Sequence, residues 1–277
     1  MGDQAMRHDV HQPLKNADLA KREPGSRRQL LGQVARTGAG VVGLSLTGGC
    51  SVIFQSEEQK RQQALRQAMN QELKPLNARV GDPIFIRVFK TEALLELWVQ
   101  PRGKGRFVKF RDMPICAYSG QIGPKQREGD LQAPEGFYSV RADQLNPNSQ
   151  FHRSFNLGFP NLLDQQHGRT GSYLMIHGDC VSVGCYAMTD PGIDVIYTLA
   201  SGYLERNSWW GQAPDRHFWV HAFPFKPTPE NLAQAQQSGS PWTQFWTDLS
   251  VGYQIFNQTQ LPPNVGVAAG RYVLTPS

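Results

Sequence analysis

The sequence has little charge, few cysteines and no long uninterrupted apolar run. Charged residues make up 18% of its 277 positions and hydrophobic ones 39%, which fits a folded globular body rather than a disordered chain. The net charge of +5 does not describe that body. Seven of the 28 basic and four of the 23 acidic residues lie in the first 50, leaving 21 against 19 beyond them. A nearly neutral body without a basic, aromatic-laced stripe excludes nucleic acid as the expected partner. Internal repeats and long low-complexity tracts are also missing, so solenoid and array architectures are excluded. There are only four cysteines, Cys50, Cys116, Cys180 and Cys185. Cys180, Cys185 and His177 lie close together, but no second Cys/His pair accompanies them as a structural zinc site would require. No metal or other cofactor is expected. Turn formers, in contrast, are plentiful, with 27 Gly and 19 Pro, and point to a β-rich body.

The basic excess belongs to a leader. Ser26-Arg27-Arg28-Gln29-Leu30-Leu31 precedes an apolar stretch from Thr37 to Gly49 that is too short for a confident membrane span. The arrangement reads as an export signal, and its arginine pair resembles a twin-arginine start. Leu46-Thr47-Gly48-Gly49-Cys50-Ser51 looks like a lipoprotein cleavage site, with Thr47 where Leu is usual. A lipidated Cys50, a soluble product cut nearby and an uncleaved anchor all fit. The expected location is the periplasm or cell envelope, with membrane attachment through the N-terminus as one option.

Beyond the leader, residues 57–73 read as a polar helix with Leu65, Met69 and Leu73 on one narrow stripe, ended by Pro75. Strand patterns follow at 84–89, 94–99, 107–110, 115–118, 136–140, 155–159, 173–176 and 218–223. Asp190-Pro191 reads as an N-cap and first helical residue, with Ile193, Ile196, Tyr197 and Ala200 on one face. Residues 229–237 and 242–257 also read as helices. His217 and His221 flank Trp219 on one strand face and read as packing or surface histidines. His152 and His167 fall in loops and carry little signal.

Chemistry concentrates in His177-Gly178-Asp179-Cys180-Val181-Ser182-Val183-Gly184-Cys185, between a strand and a helix start. A cysteine there can lie near a helix N-terminus, whose partial positive charge favours a thiolate. A nearby histidine can take the thiol proton and return it to a leaving amine. Gly184 lets the backbone bend, so that the Cys185 amide and its neighbours form an oxyanion hole.

This stretch resembles the catalytic motif of the L,D-transpeptidases with a YkuD-type domain, in particular their YafK-like murein branch, of form His-Gly-x-x-x-Ser-x-Gly-Cys. His177, Gly178, Ser182, Gly184 and Cys185 match it. Ser119-Gly120, Gly123-Pro124-Lys125, Glu128-Gly129-Asp130, Gln132 and the run from Pro134 to Tyr138 are similar to that branch, as are residues 155–161 more weakly. The larger branch carries Ser-His-Gly-Cys followed by Arg. Val183 and Tyr186-Ala187-Met188 depart from that pattern, which leaves His177 as the base.

The resemblance implies a β-rich catalytic domain, and with the patterns above the chain reads as a β-rich α+β fold with flanking helices: an export signal over 1–50, a helical segment over 51–80, a catalytic domain over 81–225 and a helical extension over 226–277. The resemblance also implies acyl transfer from peptidoglycan stem peptides at meso-diaminopimelate, in cross-linking or remodelling the wall. Cys185 would be the nucleophile, His177 the base and acid, Gly184 part of the oxyanion hole and Ser182 a support. Lys125, Glu128, Asp130, Gly178 and Tyr138 would meet substrate. Hydrolysis of the same thioester, releasing an outer-membrane lipoprotein from peptidoglycan, stays open, as does an inactive wall-binding module. If Cys50 is lipidated or removed, three cysteines remain, and pairing Cys116 with Cys180 keeps the nucleophile free. Other readings of these residues are an ordinary turn serine for Ser182, a solvated loop for Lys125, Glu128 and Asp130, and solvent for Asp179, which could otherwise orient the base.

Overall fold

A computed structural model describes residues 56–205 and 216–277. The leader, with Cys50, lies outside the described residues. Helix α1 (Glu57–Leu73) occupies the span its pattern predicts, and Ser56 caps it by accepting the Gln59 N–H at 3.2 Å. Its narrow stripe is not a loose surface cover, because Met69 and Leu73 are buried in the main core.

The body is α+β, built on two mixed sheets. The first is ordered β3 (Val108–Pro114), β2 (Leu94–Val99), β1 (Ile84–Phe89), β10 (His217–Phe223), β5 (Gly136–Arg141), with β1 and β10 parallel and the other pairs antiparallel. The second is ordered β4 (Ala117–Tyr118), β9 (Tyr186–Ala187), β8 (Met175–His177), β7 (His152–Asn156), β6 (Leu145–Ser149). Helix α3 (Asp190–Leu204) packs on β7 and β1, and its Ile193, Ile196 and Leu199 join the core with residues of both sheets. Thr189, not Asp190, is its N-cap: the Thr189 hydroxyl accepts the Gly192 N–H at 3.2 Å. A short α2 (Leu162–Gln166) lies between β7 and β8 in the chain.

Strand β1 is buried along its whole length because both faces of the first sheet are covered. Ile84, Ile86 and Val88 face the main core. Phe85 and Phe89 face the C-terminal segment, where Phe85 lies 4.5 Å from the ring of Phe256. That segment is not purely helical as expected. It holds α4 (Pro229–Gln237), α5 (Thr243–Thr259) and a closing hairpin, β11 (Asn264–Ala268) with β12 (Arg271–Thr275). Its short strands, exposed at alternate positions, leave only a weak alternation signal in the sequence. The described residues form one compact unit.

Two buried ion pairs on the sheet side each share one hydrogen bond with α5. Arg87 meets Glu96, its cross-strand partner, at 2.6 Å, reaches Asn257 at 2.8 Å, and lies over the rings of Trp98, Tyr253 and Phe256. Lys90 meets Glu135 at 3.0 Å, and Glu135 also accepts the Trp246 indole N–H at 2.9 Å. His221 is fully buried between Phe85 and Phe137, with neither ring nitrogen partnered among the described residues.

Candidate active site

Strands β8 and β9 are parallel neighbours, yet only residues 178–185 join them. A parallel connection ordinarily takes about a dozen residues or more, usually with a helix. This tight return forces left-handed backbone at Asp179 (φ 67°), Cys180 (φ 45°) and Gly184 (φ 112°). Glycine meets that demand freely, while the two side-chain-bearing residues cost about 1–2 kcal/mol each. The loop is held against that cost. Cys180 is disulfide-bonded to Cys116, Cα to Cα 5.3 Å, and the Asp179 N–H donates to Asp190 Oδ1 at 2.9 Å. Cys116, offered by the sequence as the partner of Cys180, makes that pair at an exposed position. Closing a loop of 64 residues is worth about 4 kcal/mol in chain entropy.

The disulfide leaves Cys185 as the free thiol among the described residues. The Met175 N–H donates to its sulfur at 3.4 Å, and the thiol points to the Tyr173 carbonyl at 3.7 Å. His177 ends β8, 3% exposed, with the ring of Phe151 4.9 Å away. Its Nδ1 lies 2.6 Å from the Gly178 carbonyl, an acceptor only. Nδ1 therefore carries the proton, and Nε2 keeps the lone pair a general base needs. No hydrogen bond joins His177 to Cys185 in this arrangement. Alternation along the paired strands directs Ile176 and Tyr186 into the core, leaving His177 and Cys185 to the opposite face.

Burial sets the charge state of the pair. It pushes the Cys185 thiol up, against the Met175 N–H and the positive charge of Lys125. It pushes the His177 imidazole down, against the Gly178 carbonyl and Asp179. Both shifts favour neutral partners over a resting thiolate–imidazolium pair. At the N-terminus of α3, the Asp190 carboxylate accepts the Asp179 N–H. Asp179 is exposed, and its contact with α3 runs through its backbone.

Two serines organise the turn before the thiol. Ser182 Oγ accepts the Cys185 N–H at 3.1 Å and donates to the Cys185 carbonyl at 2.7 Å. Ser119 Oγ accepts the Gly184 N–H and lies 3.4 Å from Ser182 Oγ. The amides expected as oxyanion donors are thus engaged by hydroxyls here, and an incoming oxyanion would have to take them over.

The other expected site residues separate into distinct places. Gly178 supplies the carbonyl that orients His177, and an added Cβ there would lie 2.6 Å from Asp190 Oδ1. Lys125 is 3% exposed and paired with Asp130, which does not fit a solvated charged loop. Asp130 also accepts the backbone N–H groups of Gln126, Arg127 and Gln132. Burial opposes its charge, but these bonds and Lys125 together hold its carboxyl below the ordinary value. Glu128 is exposed and accepts the Ser172 hydroxyl at 3.3 Å. Tyr138 does not line the site. It is 1% exposed, with its hydroxyl within reach of the Glu135 carbonyl and Asp164, because β5 directs it into the core.

Sequence reasoning did not single out Phe151, Ser154 or Tyr173 as site residues. Phe151 caps the His177 ring, and its only signal is a lone aromatic in a polar turn. Ser154 is the cross-strand partner of His177 and is buried, its hydroxyl without a partner among the described residues. Tyr173 is 73% exposed beside the thiol, and Val183 is 77% exposed, giving the site an apolar rim. Among the described residues, no group of three His, Cys, Asp or Glu side chains is placed to hold a metal.

No family model matches the chain. Two curated relatives named "Putative L,D-transpeptidase YafK", from Escherichia coli strain K12 and Escherichia coli O157:H7, are each 45% identical over 197 residues. The match covers 71% of this chain and 75% of each relative. Among solved structures, the helical cell shape determining protein Pgp2 of Campylobacter jejuni aligns at 16% identity over 72% of this chain and 80% of its own, with a TM-score of 0.40. Its K307A mutant aligns at 18% identity and TM-score 0.41 over 71% of this chain, which spans 65% of that one. These structural likenesses are too remote to bear on the site.

Proposed function

The chain belongs to the L,D-transpeptidase family, and from that premise we propose that it acts on peptidoglycan stem peptides through a thioester on Cys185. The observation that carries this reading is the free Cys185 thiol immediately before β9, the strand next to that of His177, whose Nε2 is left open by the bond from Nδ1 to Gly178.

In this mechanism substrate binding brings the thiol and Nε2 together. His177 takes the thiol proton as the sulfur attacks the diaminopimelate carbonyl carbon. The amides of Gly184 and Cys185 turn from their serine hydroxyls to the developing oxyanion. As the tetrahedral intermediate collapses, the C–N bond breaks and the imidazolium protonates the departing amine. An acceptor amine, or water, then gives its proton to His177 and attacks the thioester carbonyl, releasing Cys185. An amine leaves a cross-link or a protein anchor, and water leaves a hydrolysed stem. Resting neutral partners suit this sequence, since the ionised pair forms only when substrate shields it.

The protein works in the cell envelope after export by its leader, a reading supported by the Cys116–Cys180 disulfide, which belongs to an oxidising compartment. The test is incubation of the purified protein with defined muropeptides and identification of the products by mass. New linkages with an added amine, or trimmed stems in water, are expected. Intact muropeptides under both conditions would overturn the proposal.

A further inference from the structure

We propose that the groove between the 122–132 loop and Trp242 is a carboxylate-binding subsite of this active site, anchored by Arg127. The inference rests on the stem-peptide reading and extends it to how the peptide is held. The groove has a volume of about 390 Å³, with Ile122, Gln126, Arg127, Gln132 and Trp242 in its walls. That is room for an amino-acid-sized fragment.

The groove adjoins the nucleophile. The Gln132 carbonyl lies beside Gly184, 4.0 Å from where a Cβ would stand. The next residue, Ala133, donates its N–H at 3.1 Å to the carbonyl of Ser119, whose hydroxyl holds the Gly184 N–H. Lys125 links the two places: its ammonium donates to the Arg127 carbonyl at 2.9 Å, and its charge favours the Cys185 thiolate.

The charge left over in this groove is positive. Asp130 is saturated by Lys125 and three backbone N–H groups. The Arg127 guanidinium is exposed and has no ion pair or hydrogen bond among the described residues. In the same groove, the Trp242 indole lies against Gly123, where an added Cβ would come within 2.9 Å of Nε1. That indole N–H also has no hydrogen-bond acceptor among the described residues. A guanidinium and an indole N–H, both without partners among the described residues and both in the walls of one groove, complement a carboxylate.

The groove is preformed. Lys90 donates to the Gln121 and Gly123 carbonyls at 3.1 Å each, Glu135 accepts the Gly123 N–H at 2.6 Å, and the Gln132 side chain donates to the Gly123 carbonyl at 2.7 Å. Binding there would pay little for ordering the loop. Stem peptides carry free carboxylates, which is the chemistry the groove offers to hold.

The experiment uses the full chain carrying Cys185→Ala, so that peptide binds without turnover. A diaminopimelate-containing tetrapeptide and its carboxamide counterpart are titrated by calorimetry. The acid form is expected to bind about tenfold more tightly, the scale of one charge-assisted contact. Arg127→Met should remove that advantage and leave the carboxamide affinity unchanged, and Arg127→Lys should restore part of it. Trp242→Phe keeps the wall without the donor and should cost about threefold. Equal affinity for the two peptides, an unchanged acid affinity in Arg127→Met, or no binding of the acid form would each overturn the subsite. Thioester formation by the otherwise wild-type chain is measured alongside. A thioester that forms independently of Arg127 removes the subsite alone, whereas no thioester in either protein removes the reading on which it rests.

Discussion

At the scale of single residues, the site is a pair held neutral by burial and a turn held shut by two hydroxyls. Alkylation of Cys185 by iodoacetamide should therefore be slow at neutral pH and rise with a midpoint above the ordinary thiol range of about 8–9. A midpoint well below that range would show a resting thiolate and contradict the burial argument. Cys116 and Cys180 should stay unlabelled unless the protein is first reduced. Ser119→Ala removes the acceptor that holds the Gly184 N–H. Its expected effect is a loss of about three- to tenfold in kcat/KM with the fold intact, the scale of one neutral hydrogen bond. Wild-type kinetics in that variant would mean that the hydroxyl does not shape the turn. Residue type and spacing picked out the stretch from His177 to Cys185, a motif resemblance favoured Cys185 within it, and the disulfide at Cys180 leaves that thiol free. The charge state of the pair was not legible, since desolvation belongs to what packs around the loop. Tyr138 shows the same limit: its place in a matching stretch said nothing about which way β5 turns it.

At the scale of elements, the short β8–β9 return and the doubly covered first sheet decide where the chemistry sits. Where a local pattern suffices, sequence and structure agree to the residue. Strands β1 and β2 are apolar runs interrupted only by Arg87 and Glu96, and α1 and α4 begin at Ser and Thr caps. Where pairing decides, they part. Strand β6 reads Leu-Asn-Pro-Asn-Ser and is a strand only because β7 pairs with it at the sheet edge. The C-terminal segment looked like an appendage because nothing local reveals that β1 needs a cover on its second face. Glu96→Leu tests that cover, since it leaves the Arg87 guanidinium buried without its ion pair. A loss of about 3–5 kcal/mol is expected in urea unfolding. A loss below about 1 kcal/mol, as for an exposed pair, would mean that α5 is not held to the sheet through Arg87.

At the scale of the whole molecule, buried histidines couple stability to pH. His221 has its pKa well below the ordinary value, through burial and then Arg87, and His177 is shifted the same way. Unfolding lets both take protons near their ordinary pKa of about 6.5. Their contribution is therefore full above that pH and is lost as pH falls toward the depressed folded values. Asp130 and Glu58, held below their ordinary values, add a loss of the same sign at lower pH, while Asp164, pushed up by burial, works the other way. His221→Phe should raise stability by about 1 kcal/mol at neutral pH and flatten its fall below pH of about 6. An unchanged acid limb would place the coupling elsewhere. The most direct test of the central claim is intact-protein mass spectrometry after brief incubation with a diaminopimelate-containing tetrapeptide. The expected result is an adduct of the acyl fragment on Cys185, released by hydroxylamine and missing in Cys185→Ala, whose product formation falls by at least about a thousandfold. Product formation by Cys185→Ala at the wild-type rate would contradict the account.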